Sequence, residues 1–296
     1  MVSNSNKLKF YADVFAWFSN GQIKKISTGD GIYYQPCIHP EGTHVVYSGN
    51  SSGVPRIWKG ELITGKISPI SPENSGARHP VFSWDGKRIV FASDRASGQN
   101  PEQIKHMGPD GAPPHDLTLN LFIMDTDGKN ITQLTSGSYQ DQRPCFSPDG
   151  RYVVFVSTRS GPYPDLWVTP SDGSTEPKKL LNQGWGYRPW YSIDGKLIYF
   201  FTDINKRHQI CQIPSEGGNH IPLINDDLGH SHGPFSDPSG ECLLMHSTRG
   251  GNWGIWELPL DGSPPRFLQP PGFQYATHPT RAKNGNITFD VARFSK

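Results

Sequence analysis

Short runs of β-branched and aromatic residues recur along the chain and alternate with turn residues. The clearest run, Arg151–Thr158, comes directly after the pair Asp149-Gly150, and the shorter run Leu166–Val168 follows it. Runs of this kind are typical of strands. An Asp-Gly pair between two of them indicates a hairpin turn, because glycine adopts positive φ without steric cost. The pattern therefore predicts many short antiparallel strands.

The turn residues repeat with a fixed period. Six prolines are each followed six residues later by a glycine, and these pairs are Pro36 and Gly42, Pro80 and Gly86, Pro144 and Gly150, Pro189 and Gly195, Pro234 and Gly240, and Pro279 and Gly285. The glycines are 44, 64, 45, 45 and 45 residues apart. A second set of turns lies between them, at Gly21, Gly65, Gly128, Gly173, Gly217 and Gly262. Each repeat reads as strand, turn, strand, loop, strand, turn, strand, which is one four-stranded antiparallel blade.

Six such blades predict an all-β fold, a six-bladed β-propeller. The N-terminal stretch 13–26 matches the outer half of a blade and the C-terminal stretch 278–293 matches the inner half. Together they would complete one blade from both ends of the chain and close the ring. We therefore expect a single propeller domain over residues 1–296.

One repeat is longer than the others. The interval from Gly86 to Gly128 is 42 residues, against 22 or 23 in the first, third, fourth and fifth blades. The extra residues, roughly 98–119, are rich in glycine and proline and contain His106, His115 and Asp116. Long loops in compact domains are often functional. We expect this insertion in blade two to overhang the mouth of the central channel.

Composition narrows the class of protein. The 32 glycines and 27 prolines fit a turn-rich chain, and 15 Phe, 11 Tyr and 8 Trp supply the apolar surface that a disordered chain lacks. The formal net charge of +1 argues against broad nucleic-acid binding. The four cysteines are far apart and are expected to be small core residues.

Nothing in the sequence resembles a membrane span or a signal peptide. We expect no membrane insertion, a monomer, and a cytoplasmic location for the chain as written, or a periplasmic one if a signal peptide has been removed.

Two blocks resemble the WD-like repeat of the TolB propeller family. They are Phe146-Ser-Pro-Asp-Gly150, with Asp165-Leu-Trp167 after it, and Phe82-Ser-Trp-Asp-Gly86. The resemblance implies a six-bladed propeller, and it implies protein binding, because TolB is a periplasmic protein of the Tol-Pal cell-envelope system that binds protein partners. The same repeat also builds the propellers of prolyl-oligopeptidase-type peptidases and of some pectin-fragment lyases, so it does not by itself define an activity.

Candidate ligand-binding residues lie where each innermost strand begins, at one mouth of the channel. The two positions before each repeat proline, with their flanking residues and the insertion, give Tyr34, Gln35, Arg78, His79, Asp141, Gln142, Arg143, Tyr187, Arg188, His230, His232, His278 and His115. These side chains could simply solvate a water-filled channel. Alternatively, arginines on three consecutive blades could hold carboxylates or phosphates in fork geometry.

The histidines raise the question of a metal. His230 and His232 are alternate residues, which lie on one face of an extended strand, and His278 comes from the adjacent blade. Together they are candidate ligands for a divalent ion such as zinc, manganese or calcium. The main expectation is nevertheless that no cofactor is needed.

Two functions follow from these residues. The first is a non-catalytic scaffold that binds a protein or peptide segment, or a small polar anionic ligand, at the channel mouth. The alternative is an enzyme, a lyase on acidic (uronic-acid) oligosaccharides, possible with or without a metal. An arginine would then neutralise the uronate, and the base that removes the proton beside the carboxylate would come from His79, His232, His278 or Tyr187.

Overall fold

The computed structural model describes residues 9–29, 31–51, 53–97 and 117–295, and within these ranges the chain forms strands and turns with no α-helix. In chain order the strands are β1 (Lys9–Trp17), β2 (Ile23–Lys25), β3 (Tyr33–Ile38), β4 (His44–Gly49), β5 (Arg56–Glu61), β6 (Ile67–Pro69), β7 (Ala77–Phe82), β8 (Arg88–Ser93), β9 (Asn120–Asp125), β10 (Thr132–Gln133), β11 (Gln142–Phe146), β12 (Tyr152–Ser157), β13 (Asp165–Pro170), β14 (Lys178–Lys179), β15 (Tyr187–Tyr191), β16 (Leu197–Ile204), β17 (Arg207–Pro214), β18 (Ile221–Pro222), β19 (Ser231–Ser236), β20 (Cys242–Ser247), β21 (Gly254–Pro259), β22 (Arg266–Phe267), β23 (Thr277–Arg281) and β24 (Ile287–Ser295).

These strands form six four-stranded antiparallel sheets, which confirms the predicted six-bladed propeller. Blades one to five are built from consecutive strands, β3–β6 through β19–β22. Blade six has the order β2-β1-β24-β23, and β1 pairs with β24 along its whole length, from Lys9 opposite Ser295 to Trp17 opposite Ile287. The chain ends therefore close the ring as the sequence pattern predicts.

The two sets of six repeat glycines form the turns of the hairpins. All twelve of these glycines have positive φ, between 68° and 100°, a backbone conformation that other residues adopt only with strain. In blade three the turn is closed by the Gly150 N–H, which donates to the Ser147 carbonyl at 2.9 Å. The period seen in the sequence is thus the period of the hairpins.

The core is divided among the interfaces between neighbouring blades. Between blades three and four, for example, Val154 and Leu166 pack with Ile198 and Phe200, and all four are fully buried. A comparable apolar cluster lies at each of the other five interfaces. All four cysteines are free and buried, as expected of small core residues.

The innermost strands surround the central channel. Each of β3, β7, β11, β15, β19 and β23 contacts the innermost strands of both neighbouring blades. Each also carries a β-bulge where it pairs with the second strand of its blade. A bulge bends the strand and redirects a side chain. The same irregularity therefore repeats six times around the channel and positions the candidate site.

Candidate functional site

The residue directly before each repeat proline has a left-handed backbone. The six are Gln35, His79, Arg143, Arg188, Gly233 and His278, with φ between 50° and 57°. We call them the channel ring. For the five that are not glycine, this conformation costs on the order of 1 kcal/mol or more each, and such strain concentrates where side chains are held for ligands. The ring is thus a candidate site on backbone grounds alone.

Four members of the channel ring, Gln35, His79, Arg143 and Arg188, line a small cavity together with the prolines that follow them. The cavity has a volume of about 50 Å³, which is room for only a few water molecules. A larger ligand would therefore sit against the ring at the mouth rather than pass through it.

Gln35 links the charged members of the ring. In the amide orientation that satisfies its neighbours, Gln35 donates to Nε2 of His79 at 3.2 Å and its oxygen accepts from Nη2 of Arg188, also at 3.2 Å. The same oxygen accepts from Arg143, whose guanidinium lies over the Tyr187 ring, 4.7 Å from its centre. Two cations therefore share one neutral acceptor.

The electrostatic environment at the ring is cationic. Burial lowers the pKa of His79 well below its usual value, and the positive charges of Arg143 and Arg78 lower it further. The pKa of His278 is likewise lowered by burial and then by the charges of Arg188 and Arg143. These imidazoles are neutral at physiological pH, because a further positive charge here is unfavourable.

Arg78 is the most unusual side chain of the site. It is 0% exposed, and none of its three guanidinium nitrogens has a hydrogen-bond partner among the described residues. The Asp94 carboxylate has its own bare buried oxygen, Oδ2, although Oδ1 accepts from the Gly76 N–H at 2.8 Å. Burial raises the pKa of Asp94 and the nearby charge of Arg78 lowers it, so Asp94 offsets part of the cost of burying the guanidinium, although no hydrogen bond joins the two groups.

His278 is held by a buried carboxylate. Its Nδ1 lies 2.8 Å from Oδ2 of Asp290, which also accepts from the Gln35 N–H at 2.6 Å. Burial raises the pKa of Asp290 to about 7, although a hydrogen bond from Thr277 opposes the shift. Nε2 of His278 is buried and has no partner among the residues described. The arrangement is an oriented imidazole with one free nitrogen beside two arginines.

A second group of imidazoles lies between blades four and five. His208, His230 and His232 each offer a ring nitrogen, and these three atoms lie within 4.8 Å of one another. Burial lowers the pKa of His232 to about 2, and the charge of Arg188 contributes to the shift. This group therefore lies close enough to the channel ring to sense its charge.

The other residues expected at the site occupy different surroundings. Asp141 is fully buried and bound to Nη2 of Arg159 at 2.7 Å and to the Ser157 hydroxyl at 2.6 Å, so its oxygens serve a structural ion pair. Tyr34 is 4% exposed. The Tyr187 hydroxyl donates to Oε1 of Gln142 at 3.4 Å. His115 and most of the blade-two insertion lie outside the described residues.

Three residues of the site were absent from the sequence-based set: His208, His246 and Asp290. His246 packs against His278 with ring centres 4.8 Å apart. His246 and Asp290 occupy equivalent positions on second strands, where blade three has Val156 and blade two has Ala92. Blade one has Ser48 at this position and blade four has Phe201, so an ionisable side chain there is found only in blades five and six. That is a signal that alignment of the six repeats could have found. His208 is on a third strand, and no repeat position marks it.

The fold and the channel define the class of protein: a β-propeller with a cationic site at one mouth of its channel. The family of the TolB beta propeller domain matches residues 114–280. The chain belongs to this family, which confirms the resemblance seen in its repeats.

Relatives and structures agree with this assignment. The chain is 26% identical over 227 residues to the Tol-Pal system protein TolB of Francisella tularensis subsp. mediasiatica, an alignment that covers 75% of this chain and 47% of the relative. The chain thus spans about half the length of the curated relatives it matches.

Solved structures show the same fold at low sequence identity. A structure assigned as TolB from Agrobacterium tumefaciens has a TM-score of 0.74 at 15% identity and covers 97% of this chain and 99% of that one. An oligogalacturonate lyase from Vibrio parahaemolyticus has a TM-score of 0.57 at 14% identity, covering 94% and 76%. The described part of the chain contains no helix of the length and apolarity needed to cross a membrane.

Proposed function

We propose that this protein is a binding scaffold whose channel mouth holds a carboxylate-bearing ligand, either a small polyacid or an acidic peptide segment. The observation that carries the proposal is Arg78, a fully buried guanidinium whose nitrogens have no partner among the described residues. An anion bound at the mouth would supply the missing acceptor, and the ion pair would offset the desolvation of the arginine.

The charge balance of the ring supports an anion over a cation or a neutral ligand. Arg143 and Arg188 share the oxygen of Gln35, which is uncharged. The carboxyl of Asp290 has a pKa raised to about 7, so it does not fully neutralise its surroundings. Guanidinium groups bind carboxylates through two parallel hydrogen bonds, which suits a site built from several arginines.

Family membership supports a macromolecular source for the carboxylate. The curated relatives are named Tol-Pal system proteins, and by its family this chain is a candidate to bind a protein segment. Of the two locations expected from the sequence, these relatives favour the periplasm.

Isothermal titration calorimetry tests the proposal. The probes are citrate, trigalacturonate and a synthetic peptide with consecutive glutamates, and the variants are Arg78→Met and Arg188→Met. Loss of one charge-assisted contact is worth roughly 1.5–3 kcal/mol, so each variant should bind about 10- to 100-fold more weakly than the wild type.

Arg151→Met is the matched control, because Arg151 is an exposed arginine at the opposite end of blade three, paired with Asp149. It should bind like the wild type. Equal affinity of the wild type, Arg78→Met and Arg188→Met for whichever probe binds best would contradict the proposal. The best probe identifies whether the source is a small acid or a peptide.

A second candidate function is a lyase on acidic oligosaccharides, and the His278–Asp290 pair favours it. With Nδ1 held by Asp290, Nε2 of His278 is free to accept a proton, beside arginines able to hold a uronate. The imidazole would take the proton from the carbon next to the carboxylate. A carbon–carbon double bond forms as the bond to the glycosidic oxygen breaks, and that oxygen leaves with a proton from water.

Ultraviolet absorbance of the unsaturated product reports this reaction with trigalacturonate, with added zinc or manganese. His278→Gln should abolish product formation and retain binding within a few-fold, whereas His220→Gln, a change at a histidine beside the outermost strand of blade four, should match the wild type. Absence of product from the wild type while the oligosaccharide is bound would leave the scaffold function alone.

A further inference from the structure

The imidazoles of His208, His230 and His232 converge at the interface of blades four and five. Their ring nitrogens lie within 4.8 Å of one another, and Nδ1 of His208 is only 2.6 Å from Nε2 of His232. All three side chains are half-buried, so the group is shielded but accessible to a small ion. Three imidazole nitrogens at this spacing are the donor set of many zinc sites.

The local fold explains why these side chains meet. His230 and His232 flank Ser231, whose side chain is fully buried. The Ser231 hydroxyl lies 3.1 Å from the hydroxyl of Ser247, its partner on the neighbouring strand β20. Alternate residues of an extended chain share a face, so the two imidazoles are presented together. The His208 N–H lies 3.2 Å from Nδ1 of His230, and a metal bound through that nitrogen would take the place of this contact.

The surroundings orient the rings as they do around bound metals. Asp203 lies directly opposite His208 on the β16–β17 hairpin, with Oδ1 3.5 Å from Nε2 of His208. A carboxylate on the outer nitrogen of a histidine fixes the ring and raises the basicity of the inner nitrogen. The ring of His232 is stacked on Phe201, with centres 4.3 Å apart, and contacts Trp253 at 4.8 Å. Two of the three rings are thereby held in place.

We propose that His208, His230 and His232 form a binding site for one divalent transition metal of the zinc class. Three neutral nitrogen donors suit zinc, cobalt, nickel or copper, whereas calcium and magnesium require oxygen ligands. Three protein ligands leave a fourth position of the tetrahedron open to water or to a ligand. With bonds of about 2.1 Å, tetrahedral ligands lie about 3.4 Å apart, so the His208–His232 pair would open by less than about 1 Å.

This site differs from the candidate set of metal ligands that the sequence suggested. His278 was paired there with His230 and His232, but its Nδ1 is bound to Asp290 and its ring packs on His246. His208, from the third strand of blade four, takes its place. The site is independent of the carboxylate-binding proposal, because it uses no residue of the channel ring.

Metal titration of the full chain tests the site. The protein is stripped with EDTA and titrated with zinc by calorimetry and with cobalt by visible absorption, whose intensity reports tetrahedral coordination. We expect one ion per chain in the wild type, at least about 100-fold weaker binding in His208→Ala, and about 10-fold weaker binding in Asp203→Asn.

His278→Ala and His220→Ala are the matched controls and should bind zinc like the wild type. The thermal unfolding of every variant in EDTA shows whether it is folded, and Asp203→Asn changes an exposed side chain, so its result does not depend on a fragile fold. The proposal is wrong if the wild type binds no stoichiometric zinc or cobalt, or if His208→Ala and Asp203→Asn bind as tightly as the wild type.

Discussion

The two ends of the blades carry polar residues at the same sixfold period, yet their polar atoms are used in opposite ways. At the end away from the site, Ser147 donates to Asp149 at 2.6 Å, and Asp149 also accepts from the Arg151 N–H at 3.0 Å. The equivalent turn in blade four repeats this, with Ser192 donating to Asp194 at 2.6 Å. These residues satisfy one another within the turn.

At the channel mouth, several buried polar atoms have no hydrogen-bond partner among the described residues. Nδ1 of His79, Nε of Arg143, Nε2 of His278 and the whole guanidinium of Arg78 are buried with no partner among the residues that the structure describes. A repeated polar residue is therefore structural where its hydrogen bonds close locally, and it is a candidate for binding where burial leaves them unmet. Periodicity alone does not separate the two cases.

The largest expected difference between the two ends is in the response to pH. Burial raises the pKa of Asp290 to about 7, so its contribution favours the folded state most below about pH 4 and is lost as the pH rises through about 7, a change on the order of 4 kcal/mol. Asp290→Asn should remove this loss. Urea unfolding at a series of pH values between about 4 and 8 measures it.

Asp149 is the matched control with the opposite sign. Its hydrogen bond from Ser147 is the main cause that lowers its pKa to about 2, so its stabilisation is present at neutral pH and is lost only as the pH falls through about 2. Asp149→Asn should leave the profile above about pH 5 unchanged in shape. Identical pH profiles for Asp290→Asn and the wild type would mean that the pKa of Asp290 is not raised in the folded protein.

A smaller but more specific effect is expected from the unpartnered arginine. Without ligand, Arg78→Met should raise the free energy of unfolding by roughly 1–4 kcal/mol, because an apolar side chain replaces a buried guanidinium whose nitrogens have no hydrogen-bond partner among the described residues. Thermal or urea unfolding without added anions measures this.

Arg159→Met should give the contrasting result, because Arg159 is bound to the buried Asp141 at 2.7 Å. Its loss would leave that carboxylate buried without its cation. It should destabilise the fold by roughly 3 kcal/mol. If Arg78→Met destabilises the protein as much as Arg159→Met, the mouth arginine is as well partnered as the structural one and the comparison fails.

The smallest effect is expected at the far turns. Ser147→Ala removes the bond to Asp149 and the acceptor of the Tyr152 N–H at 2.9 Å, so it should cost about 1 kcal/mol of stability and leave anion affinity unchanged. Arg151→Ala removes an exposed ion pair and should change the stability less than Ser147→Ala does. A change in citrate affinity in either variant would show that the two ends are coupled.

The fold could be predicted from the sequence because propellers are built from local hairpins. Each glycine of the two repeat sets forms a turn within its own repeat. The period of those turns therefore gives the number of blades without any knowledge of long-range contacts. The closing blade followed from the register of the two chain ends, which β1 and β24 confirm.

The channel ring was predicted for the same reason, since its members directly precede the repeat prolines. Their use was not, because it depends on partners from other strands. Asp141 is bound to Arg159 from the loop after β12, and Asp290 reaches His278 across a strand pair. His208 joins His230 and His232 only because blades four and five pack together. Side-chain contacts between different strands or blades cannot be recognised from the repeat pattern alone.

Locating anions at the two ends of the propeller tests most directly whether the channel mouth supplies positive charge that the far turns do not. Anomalous scattering from crystals soaked in bromide shows where the protein supplies uncompensated positive charge. We expect bromide beside Arg78 and Arg143 at the channel mouth and none at the Ser147–Asp149 turn. Bromide confined to exposed lysines, with none beside the mouth arginines, would mean that the channel mouth is not an anion-binding site.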